Sequence, residues 1–151
     1  AVDHQGLYGS KPSKSIQLPR IAKTTTLQPM AVAQTARDCE LREHQRAQAE
    51  RFGVEVVEMK DFDPAARLRF DGPVYLSFDM DVLDPAFAPG VSHVEPGGMS
   101  TRDALRVIQS FEGRLVGADI VEVNPQRDPS GMTAMVGAKV LKELAGRMLE
   151  P

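Results

Sequence analysis

Gly72-Pro73-Val74-Tyr75-Leu76-Ser77-Phe78-Asp79-Met80-Asp81-Val82-Leu83-Asp84-Pro85 is a short apolar run that ends in a cluster of acidic residues. Val74 to Phe78 is apolar, β-branched and aromatic, follows the turn pair Gly72-Pro73, and has the length of a buried strand of a parallel sheet. Asp79 and Asp81 fall at its carboxyl end. Residues two apart on an extended backbone share a side, so both carboxylates converge on one point. Hard oxygen ligands at the mouth of an open α/β sheet suit Mn, Mg or another oxygen-loving cation. Asp84-Pro85 closes the segment as a turn, because proline removes the next backbone donor.

Outward from this stretch the pattern alternates. Asp38 to Phe52, rich in Glu, Arg, Gln and Ala, predicts an exposed helix ended by Gly53, and Val54 to Val57 predicts a strand. Ser100-Thr101-Arg102-Asp103 opens a helix through Phe111, with Ser100 as N-cap and Asp103 placed to favour the helix start. Gly113 ends it. Leu115 to Val121 predicts another strand, and Gly131 to Met148 a helix whose apolar stripe is Met132, Met135, Val136, Val140, Leu144 and Met148. Strands alternating with helices imply an α/β fold, a parallel sheet with its crossovers on the sheet faces. Residues 1–36 differ: Lys11 to Lys23 mixes Pro, Ser and Lys, and Thr24-Thr25-Thr26-Leu27-Gln28-Pro29 supports little regular structure. The chain therefore divides into a diverged, poorly ordered segment, 1–36, and an organised part, 37–151.

The 151 residues carry 42% hydrophobic and 26% charged residues, enough for a single core. A net charge of −3 provides no electrostatic footprint for nucleic acid or an acidic membrane. Cys39 is the single cysteine and has no internal partner for a disulfide. No apolar run approaches the roughly 20 residues needed to span a bilayer, and no secretory signal opens the chain.

The string Ser77-Phe78-Asp79-Met80-Asp81-Val82-Leu83-Asp84-Pro85, with Pro89-Gly90 and Pro96-Gly97-Gly98 downstream, resembles the ureohydrolase signature of arginases, agmatinases and formiminoglutamases. Asp119-Ile120-Val121-Glu122-Val123-Asn124-Pro125 looks like that family's next strand end, and Gly131-Met132-Thr133-Ala134-Met135-Val136 like the start of its last helix. The wording Gly90-Val91-Ser92-His93-Val94-Glu95-Pro96-Gly97-Gly98 is most similar to plant-type arginases. The resemblance implies part of a three-layer α/β/α arginase-like domain, acting on the guanidinium of arginine to release urea and ornithine. Agmatine is the alternative substrate, and a catalytically dead relative that packs against intact subunits is the other alternative. It further implies assembly as a trimer or hexamer, and a mitochondrial location, with cytoplasmic as the alternative.

In the family two Mn ions are held by two His and four Asp around a bridging hydroxide. By motif position Asp79 corresponds to a carboxylate bridging both metals, and Asp81 to one on the second metal alone. Asp119 and Glu122 are the acidic pair of the next strand end, Glu122 matching the residue that receives the guanidinium, whose planar fork of donors a carboxylate accepts in pairs. The first family histidine has no counterpart. The second aligns with His4, which sets the two neighbouring aspartates at Val2 and Gly6, and the proton-shuttling histidine at Lys14. The implied cofactor is Mn in at most a partial, mononuclear site made by His4, Asp79 and Asp81, with weak binding and little turnover. The upstream gaps and the opening residue Ala1 suggest a fragment or processed chain. His93 reads as a loop-structuring or subunit-contact residue, His44 as solvated, and Glu95 as structural.

Two other readings of Asp79-Met80-Asp81 fit less well. A haloacid-dehalogenase-type phosphotransfer site wants Thr or Val where Leu83 stands. An EF-hand wants Gly where Pro85 stands, and Glu where Gly90 stands.

Overall fold

Two parallel strand pairs and three helices make up the computed structural model, which describes residues 30–33 and 43–150. In chain order they are β1 (Met30–Ala33), α1 (Glu43–Phe52), β2 (Glu55–Glu58), β3 (Arg69–Asp79), α2 (Thr101–Ser110), β4 (Glu112–Val121) and α3 (Met132–Leu149). β1 pairs with β2 and β3 with β4, both parallel, as strands separated by helical crossovers should. The α/β class and the parallel sheet expected from the alternation are thus present.

β1 lies inside the stretch whose composition predicts little regular structure. Its backbone is paired along its length with β2, from Met30 opposite Glu55 to Ala33 opposite Glu58. Pairing with an apolar neighbour overrides local composition, because strand preference depends on context. Of the predicted Asp38–Phe52 helix, Glu43 onward is helical, and residues 38–42 lie outside the described residues.

β3 differs from expectation in two ways. Gly72-Pro73 is not a turn before the strand but part of it, at a register irregularity between Arg69 and Pro73. Proline has no N–H to give a ladder, and a bulge is where a strand tolerates that loss. The strand is also buried on one face, not both. Leu76 and Phe78 point into the core while Tyr75 is 63% exposed. Strict alternation follows because α2 and α3 cover one face of the β3–β4 pair and Tyr75 and Ser77 stand on the open face.

α2 starts as predicted, with the Ser100 hydroxyl accepting from the Asp103 N–H at 3.1 Å. It ends at Ser110, and Phe111 beyond it is buried. Of the stripe expected on α3, Val140 and Leu144 are buried and Val136 packs against the core, but the methionines are not part of the buried face. Thr133, Gly137, Val140 and Leu144 are buried, whereas Met132, Met135 and Met148 are exposed. The spacing of four, three and four is still helical. The face is rotated because Gly137 lets the helix close on Met80, whose Sδ and Cε lie 3.9 Å from where a Cβ would stand. Phe78, Met80, Leu83, Ile108, Val140 and Leu144 form the centre of this core, which sits directly beneath the carboxyl ends of β3 and β4.

Candidate functional site

Asp79 is the last residue of β3, and the chain then tightens into a single turn, Met80–Val82. The Asp79 carboxylate accepts the Asp81 N–H at 3.1 Å. The two acidic side chains therefore converge through this capped turn and not through the strand pleat. Met80, fully buried between them in sequence, fastens the turn to the core.

Glu122 follows the last residue of β4, which lies beside Asp79 through the pairing of Asp79 with Val121. It takes φ 63°, a left-handed conformation that a β-carbon disfavours. Among the described residues it is the one non-glycine residue with positive φ. Such conformations cost about 1 to 3 kcal/mol and persist where the surroundings impose them.

The loop from Asp84 to Met99 returns over the same rim. Its ends are pinned by backbone bonds, Asp84 N–H to the Met99 carbonyl and Met99 N–H to the Val82 carbonyl, both 2.9 Å. The Asp84 carboxylate accepts from Ala86 N–H at 2.9 Å and Gly97 N–H at 2.8 Å, and these amides hold its pKa below the ordinary aspartate value. Gly98 passes so close that a Cβ would sit 2.6 Å from both Asp84 N and the Val82 carbonyl oxygen. Midway, Gly90 donates to Thr133 Oγ1 at 2.7 Å and accepts from Asn124 N–H at 2.8 Å, tying the loop to α3 and to the segment after β4. Arg127 donates to the Ser92 carbonyl at 2.9 Å.

That anchoring presents His93 to the strand ends. Its Nδ1 lies 3.6 Å from Asp81 Oδ2. Asp81, His93 and Glu122 each offer one ligand atom, and these atoms lie within 4.8 Å of one another. Burial pushes the Asp81 carboxyl up to about 6, the adjacent Asp79 carboxylate pushes the same way, His93 opposes it, and Glu122 adds to it. Negative charge is thus concentrated on this rim.

The predicted residues are distributed as follows. Asp81 and Glu122 meet, with Asp79 beside Asp81. Asp119 does not join them. Its carboxylate accepts from the Tyr75 hydroxyl at 3.0 Å and the Ser77 hydroxyl at 2.6 Å on the open face of the sheet, which raises the tyrosine pKa. His4, Val2, Gly6 and Lys14 lie outside the described residues. His93, read from sequence as a loop-structuring or subunit-contact residue, stands beside Asp81, a placement that pattern reasoning did not show. The one signal in the sequence is that Asp84 and Gly97-Gly98 bracket a loop starting and ending at the acidic strand end.

A parallel sheet with acidic groups gathered at its carboxyl ends defines the class, and sequence relatives define the family. The Arginase family's profile matches residues 2–146, and the chain belongs to that family. It is 50% identical over 111 residues to the mitochondrial arginase 1 of Arabidopsis thaliana, covering 68% of this chain and 32% of that protein. The solved arginase from Medicago truncatula superposes with a TM-score of 0.67 at 45% identity, over 72% of this chain and 37% of that one. A T. brucei arginase-like protein, a triple mutant described as bound with Mn2+, superposes at 0.66 with 29% identity, over 80% of this chain and 44% of that one. The chain spans about a third of the length of the curated relatives it matches. No described helix is long and apolar enough to cross a membrane.

Proposed function

We propose that this chain carries the rim at which a Mn-dependent hydrolase binds metal and receives the guanidinium group of arginine. The observation that carries the reading is the meeting of Asp81 and Glu122 across the carboxyl ends of two parallel strands, with Asp79 beside Asp81. The donor set suits Mn: hard carboxylate oxygens, gathered closely enough that their mutual repulsion favours a divalent cation between them. Asp79 and Asp81 are the metal carboxylates in this reading. When bound, the metal supplies a water of lowered pKa and an electrophile for developing negative charge.

Glu122 holds and orients the guanidinium by accepting its paired N–H donors. Its left-handed backbone sets the carboxylate at the rim, where β4 would otherwise carry it along the sheet. Asp119 acts at a distance, through Tyr75 and Ser77, by fixing the β3–β4 register below the site. With His4 the single upstream ligand available by motif, turnover is slow. Arginine is favoured over agmatine, and a mitochondrial location is proposed with it, both supported by the name of the Arabidopsis relative.

The test is urea release from arginine and from agmatine at matched concentrations with Mn2+ added. Faster release from arginine supports the reading, and a preference for agmatine overturns the choice of substrate. A second reading, a packing partner for intact subunits, is favoured by exposed apolar residues on α3, where Met135 is 62%, Leu141 60% and Leu149 85% exposed.

A further inference from the structure

Only Glu122 and Val123 lie between two fixed points of the chain. Val121 before them is held in the ladder opposite Asp79, and Asn124 after them donates its N–H to the Gly90 carbonyl at 2.8 Å. A span this short must turn sharply, and Glu122 takes the turn at φ 63°. What keeps Glu122 there is therefore whatever keeps Gly90 in place. We propose that Asp128 is the positioning residue for Glu122, acting through Thr133 and Gly90.

Asp128 is buried, 8% exposed, and packs so closely on Gly90 that a Cβ on the glycine would stand 2.4 Å from the Asp128 Cβ. Its carboxylate oxygens accept the N–H groups of Thr133 at 3.2 Å and Ala134 at 2.9 Å. The N-cap of α3 is Gly131, which has no side chain for this task, so Asp128 caps the helix from outside it. The same bonds fix Thr133, itself fully buried, whose Oγ1 accepts the Gly90 N–H at 2.7 Å. Burial pushes the Asp128 carboxyl up, but the N–H groups of Ala134 and Thr133 and the Thr133 hydroxyl outweigh it and hold the pKa below the ordinary aspartate value. One carboxylate thus joins α3, the Asp84–Met99 loop and the segment after β4.

The consequence is selective. Asp79 and Asp81 are held by β3 and their own capped turn, so loosening Gly90 displaces the guanidinium partner and spares the metal carboxylates. This consequence rests on the proposed function, in which Glu122 receives the guanidinium.

The test uses the whole 151-residue chain, with Asp128→Asn, Thr133→Val, Thr133→Ser, Glu122→Gln, and Asp128→Asn combined with Glu122→Gln. Hydrogen exchange of the Asn124 amide, followed by NMR without metal, reads the link itself. Calorimetric titration with arginine and, separately, with Mn2+ reads its effect. Asp128→Asn and Thr133→Val should each speed exchange at Asn124 and raise the arginine Kd at least about tenfold, while the Mn2+ Kd stays within about twofold. Thr133→Ser, which keeps the hydroxyl, should match wild type. Adding Asp128→Asn to Glu122→Gln should cost no further arginine affinity, because the first acts through the second. If exchange at Asn124 is unchanged in Asp128→Asn and Thr133→Val, or if arginine and Mn2+ weaken together, Asp128 serves the fold alone and the proposal fails. It fails too if the two substitutions weaken arginine binding additively. Should wild type and Glu122→Gln take up arginine equally, the proposed function is what falls, and faster exchange at Asn124 still upholds Asp128 as the residue that holds Glu122.

Discussion

Asp81 carries the highest charge cost of the described carboxylates, because burial and Asp79 lift its pKa from 3.8 to about 6. A carboxyl whose pKa is raised on folding contributes stability that is complete below its unfolded pKa and lost as pH rises through the folded one. In the metal-free chain this increment fades between about pH 4 and pH 7. Asp81→Asn has no such proton to lose. Its melting temperature, compared with wild type, should rise steadily over that interval and then level, as thermal denaturation at a series of pH values would record. A constant or falling difference contradicts the charge crowding. Asp79, Asp81 and Glu122 were legible as single residues because each stands at a strand end. His93 was not, since its place depends on a loop whose two ends are joined by Asp84, Gly97 and Gly98. Asp119 was legible as a strand-end acid, but its direction was not. That direction is set by pairing with Ser77 opposite it, a contact between residues 42 apart in the chain.

Among the elements, α3 separates what periodicity shows from what it leaves open. The helix and the core places of Val140 and Leu144 could be read from residue spacing, yet the methionines read into the same stripe stand exposed. The buried face is chosen by shape: Thr133 and Gly137 are small enough for close approach to Gly90 and Met80. Leu144→Ala should therefore cost about 2 to 5 kcal/mol in denaturant unfolding. Met135→Ala, on the exposed face, should change stability by less than about 0.5 kcal/mol. Equal losses would put Met135 in the core beside Leu144. β3 teaches the same lesson, since Gly72-Pro73 has the composition of a turn and is carried into the strand by its pairing with β4.

At the scale of the whole molecule, the described residues present apolar surface on two sides. Tyr75 and Val121 stand on the open sheet face, and Leu141 and Leu149 on the outer side of α3, at 63%, 39%, 60% and 85% exposed. Surfaces of this kind favour association. Light scattering should return a mass above the 16.5 kDa of one chain. A monodisperse monomer at micromolar concentration would count against subunit packing. The family's fold was legible because its strand-end motifs are local, whereas the proposed part of His4 with Asp79 and Asp81 joins residues that no local pattern connects.

The central claim is that Glu122 receives a guanidinium beside a metal held by Asp79 and Asp81. It is tested most directly by urea release from arginine as Mn2+ is raised, in wild type and in Glu122→Gln. Removing a charge-assisted hydrogen bond worth about 1.5 to 3 kcal/mol should lower the Mn2+-dependent rate at least about tenfold. Release that is equal in the two proteins, or that is indifferent to Mn2+, contradicts the account.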